Sequence, residues 1–237
     1  MKKVGIMQPY FFPYIGYFTL IKHTDEFILF DTVQFIRHGW IERNRILKQD
    51  EGWIYVRVPL MKDSQTTLIQ ETLIDNSQDW RSKIIAQLQP YKKIAPYYDS
   101  VMDLIKNALM PEFSSIVELN RSTLTVVCGY LGITTPLRLF SEMGLAIDEP
   151  HHPDEWALNI CKALGDVSDY WNPPGGKGLF DKSKYEQAGI NLSFQNVILK
   201  DYNQKRISFE PGLSIIDVMM FNSPEEINSM LDEYELI

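Results

Sequence analysis

Two prolines set directly behind a short apolar strand, in Val4-Gly5-Ile6-Met7-Gln8-Pro9-Tyr10-Phe11-Phe12-Pro13-Tyr14, constrain this chain more than any other stretch. Proline has no backbone N–H to give to a sheet, so neither Pro9 nor Pro13 fits the interior of a central strand and the chain must turn there. An amphipathic piece follows with Ile15, Phe18, Leu20 and Ile21, and Phe27-Ile28-Leu29-Phe30 then predicts a second strand ending in Asp31. Strand, loop, helix, strand is the simplest βαβ unit, and it makes the stretch from Lys3 to Leu47 the part around which the rest is organised.

The 237 residues suffice for a sizeable core, and 45% hydrophobic with 23% charged residues is the balance of an ordinary soluble globular protein. No run approaches the roughly 20 apolar residues that cross a bilayer, and the first residues lack the order of a signal peptide, so a cytoplasmic location is expected. The net charge of −8 disfavours sequence-independent binding to nucleic acid or to an anionic membrane. Against that background Arg37, Arg43, Arg45 and Lys48, with His38 beside them, face Glu42 alone. Such a basic island suits a local phosphate or carboxylate, or it neutralises the acidic surface within the fold. Cys128 and Cys161 lie in apolar helical patterns without Cys-x-x-Cys spacing and read as buried structural thiols.

Three parts of one domain are expected: residues 1–75 as an N-terminal α/β part, 76–145 as a helical part, and 146–237 as a C-terminal α/β part completing the same domain. In the first, 53–60 alternates as a strand, and the β-branched segment 66–74 is a candidate partner across an Asp63-Ser64 turn. In the second, Trp80, Ile84, Ile85 and Leu88 recur at helical spacing behind Ser77 or Asp79 as a cap, and helices are predicted over 98–109 and 114–131, the latter stopped by Gly132. Asn120 sits inside that last helix. Leu137 to Phe140 predicts a short strand. Adjacent His151 and His152 point apart and rarely reach one ion, so no metal site is expected, and Asp154 is placed to cap the next helix.

The third part opens on Asp169-Tyr170-Trp171-Asn172-Pro173-Pro174-Gly175-Gly176-Lys177-Gly178, again a strand meeting prolines, with a helix over 182–188 and a strand from Ile190. Its glycines would expose N–H groups near a helix start, with Lys177 adding charge, although the spacing is neither a P-loop nor a dinucleotide fingerprint. Asp217 lies mid-way along a buried helix, where it needs a partner, such as a basic residue of the opening unit. Ser223-Pro224-Glu225-Glu226 is a helix start.

Four blocks in order, the opening Met7 to Phe18, Asp31 to Ile46, Trp171 to Lys177, and Leu213 to Asn222, resemble the WbqC-like family of bacterial proteins. One departure is Glu42, where that family's block more usually carries Asn. The resemblance implies a place in O-antigen (lipopolysaccharide) and other surface polysaccharide biosynthesis, beside other enzymes of that pathway. A weaker similarity, at the level of fold, is to nucleotidyltransferases and pantothenate synthetases of the HIGH-motif superfamily, with Gln8, Tyr10 and Tyr14 standing where that motif has its histidines. The expected fold is therefore α/β, a mainly parallel Rossmann-like sheet flanked by helices with a helical insertion in the middle of the chain. The expected function is a transferase acting on an activated nucleotide, nucleotide-sugar or acyl donor; the alternative is a non-catalytic binding or assembly protein of the same pathway. Asp31 and Arg43 are the catalytic candidates, Asp31 as the general base and Arg43 as the residue that holds an anionic group of the substrate. Gln8, Tyr10, Gln34, Trp40, Asn44, Asn120, Gly175, Gly176 and Lys177 are candidate contacts to a small anionic substrate, by stacking and bidentate bonding. No cofactor follows from the residues.

Overall fold

In a computed structural model, described for residues 1–62, 64 and 66–237, the first three elements of the chain already build the centre of the molecule. Strand β1 (Lys2–Met7) leads through the proline loop into helix α1 (Ile15–Lys22) and strand β2 (Glu26–Leu29), parallel to β1 as the βαβ pattern requires. Gly5 is needed at this pairing: a Cβ there would lie 2.7 Å from the Phe27 ring on the neighbouring strand.

The chain then leaves the sheet. Strands β3 (Arg43–Leu47) and β4 (Trp53–Arg57) form a separate antiparallel hairpin, followed by helices α2 (Trp80–Leu88), α3 (Tyr98–Leu109) and α4 (Ile116–Tyr130). It returns as β5 (Leu137–Leu139) beside β2. Helix α5 (Glu155–Leu164) carries it across to β6 (Val167–Asn172) on the other side of β1, and α6 (Lys182–Gln187) leads to β7 (Asn191–Val197). Helices α7 (Ile215–Phe221) and α8 (Pro224–Leu231) precede an antiparallel edge strand β8 (Tyr234–Leu236).

The six-stranded sheet has the order β5-β2-β1-β6-β7-β8. Five strands are parallel, so the architecture is mixed α/β with helices on both faces, and the order is that of a doubly wound sheet. Alternation along the strands sorts the core. Phe27 and Leu29 join Phe18, Leu20 and Ile21 of α1 together with α4 and α7 on one face, while Val4 and Ile6 join Leu158, Ile160 and Tyr185 on the other.

Local signals place most helices. Asp79 caps α2 by accepting from Ser82 N–H, and Ser115 and Ser223 form reciprocal capping boxes with Glu118 and Glu226. Cys128 and Cys161 are buried and unbridged, and burial pushes both thiols up to about 12.

Three expectations change. The partner of β4 is β3, in the basic block, and segment 66–74 forms a 3-10 turn over Ile69–Glu71 with isolated bridges at Leu68, Leu73 and Ile74. The hairpin needs an even face for the core, and Asn44, Ile46 and Val56 supply it. Of the expected Asp63-Ser64 turn, Asp63 lies outside the described residues. Asp154 makes no side-chain cap; its carboxylate accepts from Lys184 and from Asp181 N–H. Asp217 is fully buried, and its direct partners are the hydroxyls of Tyr91 and Tyr202 and the amide of Gln204 rather than a basic residue.

Candidate functional site

Because β2 and β5 lie to one side of β1 and β6 to the other, the chain reverses its winding between β1 and β6, and a crevice opens beyond their carboxyl ends. A cavity of about 760 Å³ occupies that crevice, walled by the ends of both strands, the proline loops that follow each, the first turn of α5, Trp40 and the start of the hairpin, and Leu199 with Gly212 of the C-terminal segment. Its size suits a nucleotide or drug-sized ligand.

The loop that forms the floor is held by its carbonyls. Tyr17 Oη donates to Gln8 O, Asn120 Nδ2 to Pro9 O, Asn44 Nδ2 to both Phe11 O and Phe12 O, and Ser214 Oγ to Phe12 O, while Ile215 N–H meets Pro13 O. Phe12 is fully buried with φ of +38°, a conformation a bulky L-residue adopts only when its surroundings impose it. Asn44, its Oδ1 also accepting from Arg45 N–H, and Asn120 are the imposing groups. Two aromatic residues are thereby turned inward, and Tyr10 and Tyr14 are left to line the cavity.

What the cavity offers a ligand is aromatic surface with few polar groups. Phe30, Trp156, Tyr170 and Phe180 line the side of the sheet that carries α5. Among the described residues, the Gln8 side-chain amide and the hydroxyls of Tyr10 and Tyr14 have no hydrogen-bond partner within the protein. Burial raises both phenols above their ordinary range, so they stay protonated as donors at neutral pH. Arg45 supplies the cation. Its guanidinium lies 5.5 Å from the Trp40 ring and 5.2 Å from that of Trp53, Nη2 donates to Gly212 O at 3.1 Å, and the buried Nε has no partner among the described residues.

The second proline loop forms a 3-10 turn over Pro174–Gly176, in which Gly176 N–H donates to Pro173 O and Lys177 N–H to Pro174 O. Those two N–H groups are therefore turned inward and do not cradle an anion as the glycine pattern suggests. Gly176 has a steric role: a Cβ there would lie 2.6 Å from Asn172 Oδ1 and 2.8 Å from the Phe180 ring, whereas one at Gly175 meets nothing within 4 Å. Gly176→Ala is expected to destabilise the protein by about 1–3 kcal/mol through overpacking, with Gly175→Ala within about 0.5 kcal/mol of the parent. Paired urea midpoints check this; equal midpoints would remove the steric role.

Of the sequence-predicted residues, Gln8, Tyr10, Trp40, Asn44, Gly175 and Gly176 line the cavity. Asp31, Gln34, Arg43, Asn120 and Lys177 are not among its lining residues. Asp31 is fully buried and accepts from Ser141 N–H and Oγ, holding the turn after β5. Arg43 lies over the Tyr55 ring at 4.1 Å and donates to His38 O and Gly39 O. Gln34 bridges to Leu68, and Lys177 is exposed. Arg45 and Tyr14 also line the cavity, although the sequence singles them out only within the basic island and the opening loop and not as site residues, and so do Phe30 and Trp156, which no motif marks. Arg45 stands two residues from Arg43 in the same basic island, and only the positions of Trp40 and Trp53 tell the two arginines apart.

A doubly wound, mainly parallel sheet with an aromatic cavity at its switch point defines a mixed α/β protein. The chain belongs to the WbqC-like protein family, which it matches over residues 8–229. It is similar to the uncharacterized protein Rv1507c of Mycobacterium tuberculosis, with 32% identity over 225 residues that cover 94% of each chain. No solved structure matches it. Among the described residues, no helix is long and apolar enough to cross a membrane, and no group of histidine, cysteine and carboxylate side chains is arranged to hold a metal ion.

Proposed function

We propose that the protein is a transferase of surface polysaccharide biosynthesis that holds an activated donor, a nucleotide, nucleotide-sugar or acyl compound, in the cavity between β1 and β6. The observation that carries this reading is the combination of Arg45 with Gln8, Tyr10 and Tyr14, unpartnered among the described residues, on a largely apolar wall rich in aromatic rings. Arg45 meets one anionic group of the donor, the aromatic rings cover its planar or apolar body, and the two phenols and the amide fix its orientation. Transfer then proceeds by positioning, with the acceptor brought to a donor whose leaving group is already activated. The pathway rests on the resemblance to the family.

One observation favours a second reading, a protein of the same pathway that binds without catalysing: no aspartate, glutamate or histidine is among the described lining residues, so the wall supplies no general base that titrates near neutral pH. Binding tests both readings together and turnover separates them. Trp40 and Trp156 line the cavity, so their fluorescence reports occupancy. A panel of nucleotide-sugars, nucleotides and acyl thioesters is expected to contain a compound that quenches it and raises the melting temperature. Arg45→Ala is expected to weaken that compound about tenfold or more, the loss of one charge-assisted hydrogen bond. Silence across the panel would overturn the donor assignment, and binding without consumption of the donor in the presence of cell-extract acceptors would select the second reading.

A further inference from the structure

A second cleft, of about 490 Å³, lies between the β3–β4 hairpin and α2. We propose that it is a separate binding site for a small multivalent anion, a phosphate ester or a polycarboxylate, distinct from the aromatic cavity. The reason is an arrangement of charge that the fold by itself disfavours. Arg43 and Arg57 are direct cross-strand partners on the hairpin, and like charges placed opposite one another on a two-stranded ladder repel. Lys83 of α2 faces the same cleft, and its side chain has no ion-pair partner among the described residues. This cluster stands on a protein whose net charge is −8.

The acidic groups nearby leave the cluster positive. Glu42 is buried, accepts from His38 N–H, and approaches Arg57 only to 3.9 Å. Asp79 lines the cleft, but its carboxylate faces the first turn of α2, where it accepts from Ser82 N–H. Arg43 is pre-positioned by stacking on Tyr55 and by its two backbone acceptors, so it loses little freedom on binding. Gln78 and Gln87 add amides to the walls. A polyanion such as nucleic acid would meet the repulsion of the whole acidic surface, which leaves a compact anion as the fitting occupant.

Two arginines of the cleft also hold a loop that reaches the cavity. Arg43 holds the carbonyls of His38 and Gly39, and Arg57 Nη2 lies 3.3 Å from His38 Nδ1, while Ile36 and Trp40 of the same loop line the cavity. An anion between Arg43 and Arg57 would therefore bear on the loop that borders the donor site.

Isothermal titration of the whole protein with inorganic phosphate, and separately with citrate, at low ionic strength tests the site. Saturable binding is expected for the parent, weakened about tenfold or more by Arg57→Gln and likewise by Lys83→Gln, since each removes one charge-assisted contact. Arg45→Ala, at the aromatic cavity, is expected to leave this binding in place, so the outcome does not depend on the identity of the donor. Heats equal to those from chloride at matched ionic strength, or binding retained in the Arg57→Gln/Lys83→Gln double variant, would overturn the proposal.

Discussion

Asn44→Ala is expected to lower the unfolding free energy by about 3–5 kcal/mol and to abolish occupancy of the aromatic cavity, because it removes the partner of several buried backbone groups at once. The Asn44 amide donates to Phe11 O at 3.1 Å and Phe12 O at 2.9 Å, and its carbonyl accepts from Arg45 N–H at 2.8 Å. The residue is only 3% exposed, so water does not replace those bonds. Phe12 O keeps Ser214 Oγ, but Phe11 O is left without a partner among the described residues. The left-handed backbone at Phe12 then loses a contact that imposes it, and the loop carrying Tyr10 and Tyr14 relaxes. Asn44→Asp is the informative companion, since it keeps the acceptor for Arg45 N–H and places a carboxylate against two carbonyls. It is expected to be at least as damaging as alanine. Urea midpoints and Trp fluorescence read both effects. A stable Asn44→Ala protein with parental fluorescence would show that the loop holds itself.

The second large effect is in pH dependence and comes from Asp217. Burial pushes its carboxyl up to about 6, against the pull of the hydrogen bonds from Tyr202, Tyr91 and Gln204. The folded protein therefore holds a proton between the ordinary value near 3.8 and about 6 that the unfolded chain has released. Protonation favours the folded state in that window, so the contribution of Asp217 to stability is fully present below the lower value and is lost as pH rises through the upper one. The difference is worth about 3 kcal/mol across the window. Asp217→Asn keeps the shape and has no charge to desolvate. Its stability relative to the parent is expected to rise as pH goes from 4 to about 6 and to level off above that, read as the difference between two denaturation series. Parallel series would place the titration elsewhere. Below pH 4 a separate loss is expected, since Lys184 and the His151 and His152 N–H groups hold Glu155 down to about 2 and Lys22 holds Asp232 below its usual range. The partners of Asp217 also join distant parts of the chain. Tyr91 accepts from Leu47 N–H at the end of β3 while donating to Asp217 on α7, so the hairpin and the C-terminal helix share one buried network.

The strands and helices of the sheet were readable from the residues because each rests on local rules. Proline after β1 and after β6 ends a strand whatever surrounds it, and apolar spacing with a serine or aspartate cap marks α2, α4 and α8. Both proline loops line one cavity, which brings Gln8 and Tyr10 together with Gly175 and Gly176. The hairpin was harder to read. Arg43-Asn44-Arg45-Ile46-Leu47 is polar for a strand, and its ladder to β4 is visible only once the even positions have a core to face.

The chain alone therefore settles the α/β pattern, the places where it must turn, and the concentration of aromatic and basic residues between Pro9 and Lys48, since these follow from backbone sterics, periodicity and charge. Tertiary structure alone decides what each polar side chain does there. Asn44 and Asn120 look like ligand contacts by residue type, yet both amides hold the proline loop, because the carbonyls of Pro9, Phe11 and Phe12 are buried and need donors that only distant strands and helices bring. Arg43 and Arg45 are equivalent in sequence, and the packing of Trp40, Trp53 and Tyr55 sends one to the basic cleft and the other to the aromatic cavity. A buried hydrogen-bonding group takes whichever partner the fold leaves unsatisfied, and that is set by contacts far apart in the chain.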